Sequence, residues 1–276
     1  MGGKAPQNSS FLHDIMIIDL QNKNALVCGS SDGIGRSIAI GLSKAGANVT
    51  LFARNPEKLG VVLNELDRSK GQEHAMLIAD FSDPASVKTA VETACLTNVY
   101  HILVNNTGGP PGGPIASASA EAFYSALNAH LINNHQISQA LIPGMKKGGY
   151  GRIINVISTS VKIPLKGLGV SNTTRGAVAS WSKTLATELA PEGITVNNVL
   201  PGATKTGRLT SIIDAKAGKS GQAIDAVEEE MLSEIPMNRF GSPDEVAHAA
   251  VFLASPQAAY ITGTNMVVDG GITGCL

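Results

Sequence analysis

The chain has 276 residues, 43% of them hydrophobic and 16% charged, with a formal net charge of −1. This suits one α/β domain with a sizeable core, and it supplies no basic field for nucleic acid or an anionic membrane surface. The cysteines Cys28, Cys95 and Cys275 form no C-x-x-C pair and read as reduced, mostly buried thiols of a cytoplasmic protein. No apolar run reaches the roughly 18 residues that argue for a membrane span. No basic flank with a long apolar core marks a leader, and no H-E-x-x-H or Cys/His cluster marks a metal site.

Residues 1–18 read as a flexible N-terminal extension rich in Gly, Asn and Ser, ahead of a single domain over 19–276. The apolar patch at 15–18 packs on the domain edge or on a partner subunit. Strand 25–27 runs into Cys28-Gly29-Ser30-Ser31-Asp32-Gly33-Ile34-Gly35 and then a helix over 36–45. That helix carries Ile34, Ile38, Leu42 and Ala45 on one face and stops at Gly46, a natural C-terminal glycine. Strand 48–53 follows at once, completing a βαβ unit. Glycine lets backbone turn sharply and lie close to a ligand, and the helix start offers free N–H groups suited to a pyrophosphate. A dinucleotide site and a plain tight turn both fit this loop.

The alternation continues. Asn55-Pro56 opens a helix towards Arg68, 75–79 is a third strand, Ser82-Asp83-Pro84 starts a helix and 101–104 is a fourth strand. One long helix is expected over 119–145, with Tyr124 packed inside it. Strand 153–157, a helix over 173–189 and strand 194–200 follow. Residues 203–236 form a small helical lid with Ile212, Ile213 and Met231 on its apolar side. Ser242-Pro243-Asp244-Glu245 caps another helix, and 265–268 is the last strand. The strands are short apolar runs, as parallel strands buried on both faces require. The predicted fold is a doubly wound parallel α/β sheet, with ligands at the carboxyl ends of the strands.

Four motifs in order carry a resemblance. Gly29-x-x-x-Gly33-Ile34-Gly35, Asn105-Asn106-Thr107-Gly108, Asn197-x-x-x-Pro201-Gly202, and Ile261-Thr262-Gly263 with Asp269-Gly270-Gly271 resemble those of the short-chain dehydrogenase/reductase family. The match spans residues 20–271, with the flavour of 3-oxoacyl-carrier-protein reductases. It implies a Rossmann-type oxidoreductase that takes a small carbonyl or alcohol substrate and assembles as a homo-oligomer, a tetramer or dimer. By resemblance, Gly29, Ser31, Asp32, Gly33, Ile34 and Gly35 form the pyrophosphate loop. Asp80 and Phe81 border the adenine, with a turn cap as the other role open to Asp80. Asn106, Thr107 and Gly108 follow the ribose; Asn105 is expected to make a structural hydrogen bond. Pro201 and Gly202 flank the nicotinamide, and Thr206 reaches its carboxamide. The second strand ends in Arg54 where a carboxylate would favour NAD(H), so NADP(H) is the expected cofactor; Asp32 argues mildly the other way.

The family's catalytic positions are mostly altered. Ser158 matches the serine, but the tyrosine position holds Ser171, the lysine position Arg175 and the asparagine position His130. A serine hydroxyl is a far weaker acid than a phenol, and arginine is a poor proton carrier. Arg175 keeps a charge for ribose hydroxyls. His130 offers an imidazole whose titration would break a pH profile at roughly 6–7, or it is a hydrogen-bonded core residue. The sequence thus supports an oxidoreductase with an atypical proton relay; the alternative is a catalytically inactive dinucleotide-binding protein.

Overall fold

The computed structural model describes residues 17–275, so most of the expected N-terminal extension lies outside the described residues. Its elements are β1 (Asn24–Cys28), α1 (Gly33–Lys44), β2 (Asn48–Ala53), α2 (Pro56–Glu65), β3 (Ala75–Ile78), α3 (Pro84–Cys95) and β4 (Ile102–Asn105). Then come α4 (Ala120–Leu127), α5 (Asn133–Gly148), β5 (Gly151–Val156), α6 (Gly169–Leu189) and β6 (Ile194–Pro201). Helices α7 (Gly207–Ser220), α8 (Ile224–Ser233) and α9 (Pro243–Ala254) precede β7 (Asn265–Val268). The strands form one parallel sheet in the order β3-β2-β1-β4-β5-β6-β7. No helix among the described residues is long and apolar enough to cross a membrane.

Side-chain alternation builds the two layers. Ala25, Val27, Ile102 and Val104 face α1, α2 and α9, while Leu26, Cys28 and Leu103 face α3, α5 and α6. Burying each Leu or Ile of these layers contributes about 2 kcal/mol. The expectation of strands buried on both faces holds for the centre only. Three of the four β3 residues are exposed and β7 is half-exposed throughout, because both are edge strands. Likewise, Cys28 is buried, Cys95 half-buried and Cys275 exposed.

Two helices depart from the sequence reading. The expected helix over 119–145 is interrupted by a wider π-turn at Asn128–Ile132, which sets His130 inward. Tyr124, read as packing, is 66% exposed. Helix α6 starts at Gly169 rather than near 173, because a Gly167–Leu168 turn pairs with Gly113. A Cβ at Gly169 would collide with Ile115, so only glycine lets the helix begin there.

The sheet also carries a polar ladder. Asn105, Asn155, Asn198 and Asn265 lie in register across β4–β7. The amide of Asn105 donates to Asn155 at 2.9 Å, Asn155 to Asn198 at 3.0 Å and Asn198 to Asn265 at 2.7 Å. Asn155, with no exposed surface, also donates to Ser182 of α6. Removing Asn155 strands two buried amide partners, each costing about 1–3 kcal/mol. Asn155→Ala is therefore expected to lower the free energy of unfolding by about 3 kcal/mol, read by chemical denaturation.

Candidate active site

Strand order reverses between β1 and β4, so the crevice opens where their carboxyl ends diverge. The loop after β1 turns through Gly29 (φ +58°) and Gly33 (φ +52°), left-handed conformations that favour glycine. Asn106, just past β4, packs on this turn and donates to the carbonyls of Cys28 (3.3 Å) and Gly29 (3.2 Å). A Cβ on Gly29 would lie 2.5 Å from the Asn106 carbonyl oxygen, and one on Gly35 would strike the Gly29 carbonyl. Close packing thus requires glycine in this turn, which leads straight into the N-terminus of α1, a backbone N–H site that fits a pyrophosphate. Asp32 caps that helix, accepting from the Gly33 N–H at 2.7 Å. Ser30, which the sequence left without a role, accepts from the Phe52 N–H and ties the loop to β2, leaving Ser31 and Ile34 half-exposed.

At the end of β2, the Arg54 side chain is 76% exposed and lies 3.8 Å from the Asp80 carboxylate. That loose contact leaves the guanidinium able to reach a phosphate. Asp80 accepts from the Ser82 N–H, which with that residue's side chain holds its carboxyl below the usual range; the turn-cap role is present. Phe81 packs on Phe52 with the rings tilted by 55° and their centroids 4.9 Å apart, and its carbonyl accepts from Asn133.

The opposite end gathers the altered positions. His130 is 2% exposed, with Nδ1 2.6 Å from the Thr107 hydroxyl oxygen. Burial first, then the charge of Arg175, pushes the imidazole down to about 3, against a smaller upward effect of the Gly108 carbonyl. It is neutral at physiological pH, which corrects the expectation of an acid/base group titrating at roughly 6–7. Arg175 is also buried; its Nη1 donates to the Val156 carbonyl at 2.9 Å. Desolvation, with help from Arg208, lowers it to about 10, so it stays positive. Ser158, two residues past β5, caps a short turn over Thr159–Val161: its Oγ accepts from the Ser160 N–H at 3.1 Å and keeps its proton to give elsewhere. Ser171 lies in the first turn of α6, half-buried.

Past β6, Gly202 makes a close crossing: a Cβ there would lie 2.7 Å from that of Asp269. Pro201 and Gly202 thus set the direction of the loop. Thr206 precedes α7 without capping it, its hydroxyl donating instead to the Thr204 carbonyl. Helices α7 and α8 fold over their own small core around Leu209, Ile213 and Val227; Ile213 is buried as expected, Ile212 and Met231 half-buried. Sequence reasoning gave Arg208 no role. The structure brings it beside Gly109, where Arg175 also points. The Thr107–His130 pair was legible only as two departures from one family pattern.

Residues 29–273 match the family described as Enoyl-(Acyl carrier protein) reductase. The chain belongs to the short-chain dehydrogenase/reductase family. It is an oxidoreductase of that nicotinamide-dependent type. It is 32% identical over 255 residues to a 3-oxoacyl-[acyl-carrier-protein] reductase of Vibrio harveyi, covering 92% of this chain and 99% of that one. An uncharacterized oxidoreductase of Mycobacterium tuberculosis is 30% identical over 263 residues, covering 94% and 96%. Among solved structures, L-sorbose reductase from Gluconobacter frateurii, complexed with NADPH and L-sorbose, superposes with a TM-score of 0.88 at 32% identity. That likeness covers 95% of this chain and 100% of the other.

The buried imidazole has a consequence for stability. Its folded pKa is depressed, so its contribution is full above about 6.5 and is lost as pH falls towards 3, where the unfolded chain binds a proton that the folded site refuses. The slope is about 1.4 kcal/mol per pH unit. His130→Asn is expected to flatten unfolding free energy against pH between about 4 and 6 by roughly that slope. His74 and His101, also lowered by burial, remain in both proteins and cancel in the difference.

Proposed function

We propose that the protein is an NADP(H)-dependent oxidoreductase for a small carbonyl or alcohol substrate, working without the family's tyrosine and lysine. The observation that carries this reading is the tight glycine turn at the N-terminus of α1, held by Asn106, with Arg54 exposed at the end of the neighbouring strand and Ser158 at the other end. Gly29, Gly33, Ile34 and Gly35 would hold the pyrophosphate, Arg54 a 2′-phosphate, and Thr206 the carboxamide. A nicotinamide held there would supply hydride to the carbonyl carbon on reduction and take it back on oxidation. Ser158 donates its hydroxyl hydrogen to the substrate oxygen. Arg175, which joins no ion pair among the described residues, adds positive field at that end of the site. The proton that completes the alcohol comes from water, since His130 is held neutral and Ser171 is too weak an acid. The half-exposed β7 edge and α6 suit assembly with further copies.

A second reading, binding without turnover, is favoured by the same loss of the tyrosine and lysine, and one experiment separates the two. Wild type is titrated with NADPH and NADH by fluorescence and then tested for NADPH oxidation on a carbonyl panel. Turnover is expected, with no break in the pH profile near 6.5 and at least about 100-fold less in Ser158→Ala. Tight binding with no turnover on any carbonyl establishes the second reading instead. Arg54→Ala is expected to weaken NADPH about 10–100-fold and leave NADH unchanged; equal effects on both would remove Arg54 from cofactor choice.

A further inference from the structure

Two guanidinium groups converge beside the proposed substrate site without a counter-charge. The Arg208 Nη2 and Nε lie 3.6 and 3.7 Å, and the Arg175 Nη2 lies 3.8 Å, from the point that a Cβ on Gly109 would occupy. Each arginine is steered by a backbone carbonyl: Arg175 Nη1 by Val156, and Arg208 Nη2 by Pro110 at 2.7 Å. Neither joins an ion pair among the described residues. The effect of Arg208 on Arg175 is repulsive, and no carboxylate offsets it.

The placement of Arg208 adds to the imbalance. It is the second residue of α7, a 14-residue helix with no acid in its first turn and no side-chain cap. A cation at the positive end of a helix is unfavourable, whereas an anion there is favoured. A buried arginine paired only with a carbonyl and another arginine is costly unless something negative shares the space. Gly109 puts no side chain of its own between the two forks.

We propose that Arg208 and Arg175 bind a carboxylate of the substrate beside Gly109, so that the protein acts on oxo or hydroxy acids rather than neutral carbonyl compounds. The proposal rests on the oxidoreductase reading and narrows its substrate class. Planar guanidinium forks match a carboxylate. Arg175 lies on the side of Ser158, its Nη1 donating to the Val156 carbonyl two residues before that serine, and Arg208 joins it at Gly109. The rival occupant is the cofactor pyrophosphate, because the Thr206 methyl lies 3.1 Å from where a Gly33 Cβ would stand.

The test is calorimetric binding of 4-phenyl-2-oxobutanoate and its ethyl ester to the intact protein, with and without NADPH. The acid is expected to bind at least about tenfold tighter than the ester, and Arg208→Ala to erase that preference while leaving NADPH affinity within about twofold. Gly109→Asp, which puts a carboxylate between the forks, is expected to abolish acid binding and raise the Tm. Equal binding of acid and ester, or binding of neither, overturns the proposal. So does an Arg208→Ala protein that loses NADPH affinity but keeps the acid preference, which would assign the arginine to the pyrophosphate. If wild type binds no NADPH yet still prefers the acid, the oxidoreductase reading fails and the anion site stands.

Discussion

The amide ladder across β4–β7 is the interaction on which the site depends. Four asparagines in register hydrogen-bond side chain to side chain, and Asn155 ties the row to α6 through Ser182. A buried amide without a partner is costly, so a slip in register would strand several at once. The ladder stands just before the loops that matter. Asn106 follows Asn105, Ser158 follows Asn155 by three residues, and Pro201-Gly202 follows Asn198. Strands that end level deliver their loops to one crevice.

Neighbouring residues divide the work by alternation. Asn105 serves the ladder while Asn106 fastens the glycine turn; Asn198 serves the ladder while Asn197 donates to the Ile261 carbonyl and accepts from the Thr264 N–H. Adjacent side chains on a strand point to opposite faces, so one pair of identical residues does two jobs. The altered positions are also coupled. His130 has Thr107 as partner, and the neutral imidazole tolerates the buried Arg175 that a protonated one would repel. The result is a site with two fixed positive charges, Arg175 and Arg208, a serine hydroxyl and an imidazole held neutral.

Most of the fold was legible because its signals are local. The capping groups of Asn55, Asp83 and Ser242, the glycine after α1 and the apolar runs each act within a few residues, and the elements form where they predict. The errors fall where distant contacts decide. Nothing in 119–145 marks the π-turn that sets His130 inward, and the start of α6 is set by a turn paired with Gly113 and by Ile115, neither of them near in sequence. Tyr124 fits a helix pattern equally well on a packed or an exposed face.

The sequence by itself determined the order of strands and helices, the glycine turn and the presence of Ser171 and Arg175 early in α6, because spacing, backbone freedom and residue identity are properties of the chain. It also marked Ser158, Arg54 and His130 as residues to watch. The tertiary structure alone decided the protonation of His130, since a pKa follows from desolvation and from charges such as Arg175 that lie far away in sequence. It alone brought Arg208 of α7 against Arg175 of α6 over Gly109. Electrostatics depends on distance through space, and the chain order does not contain it.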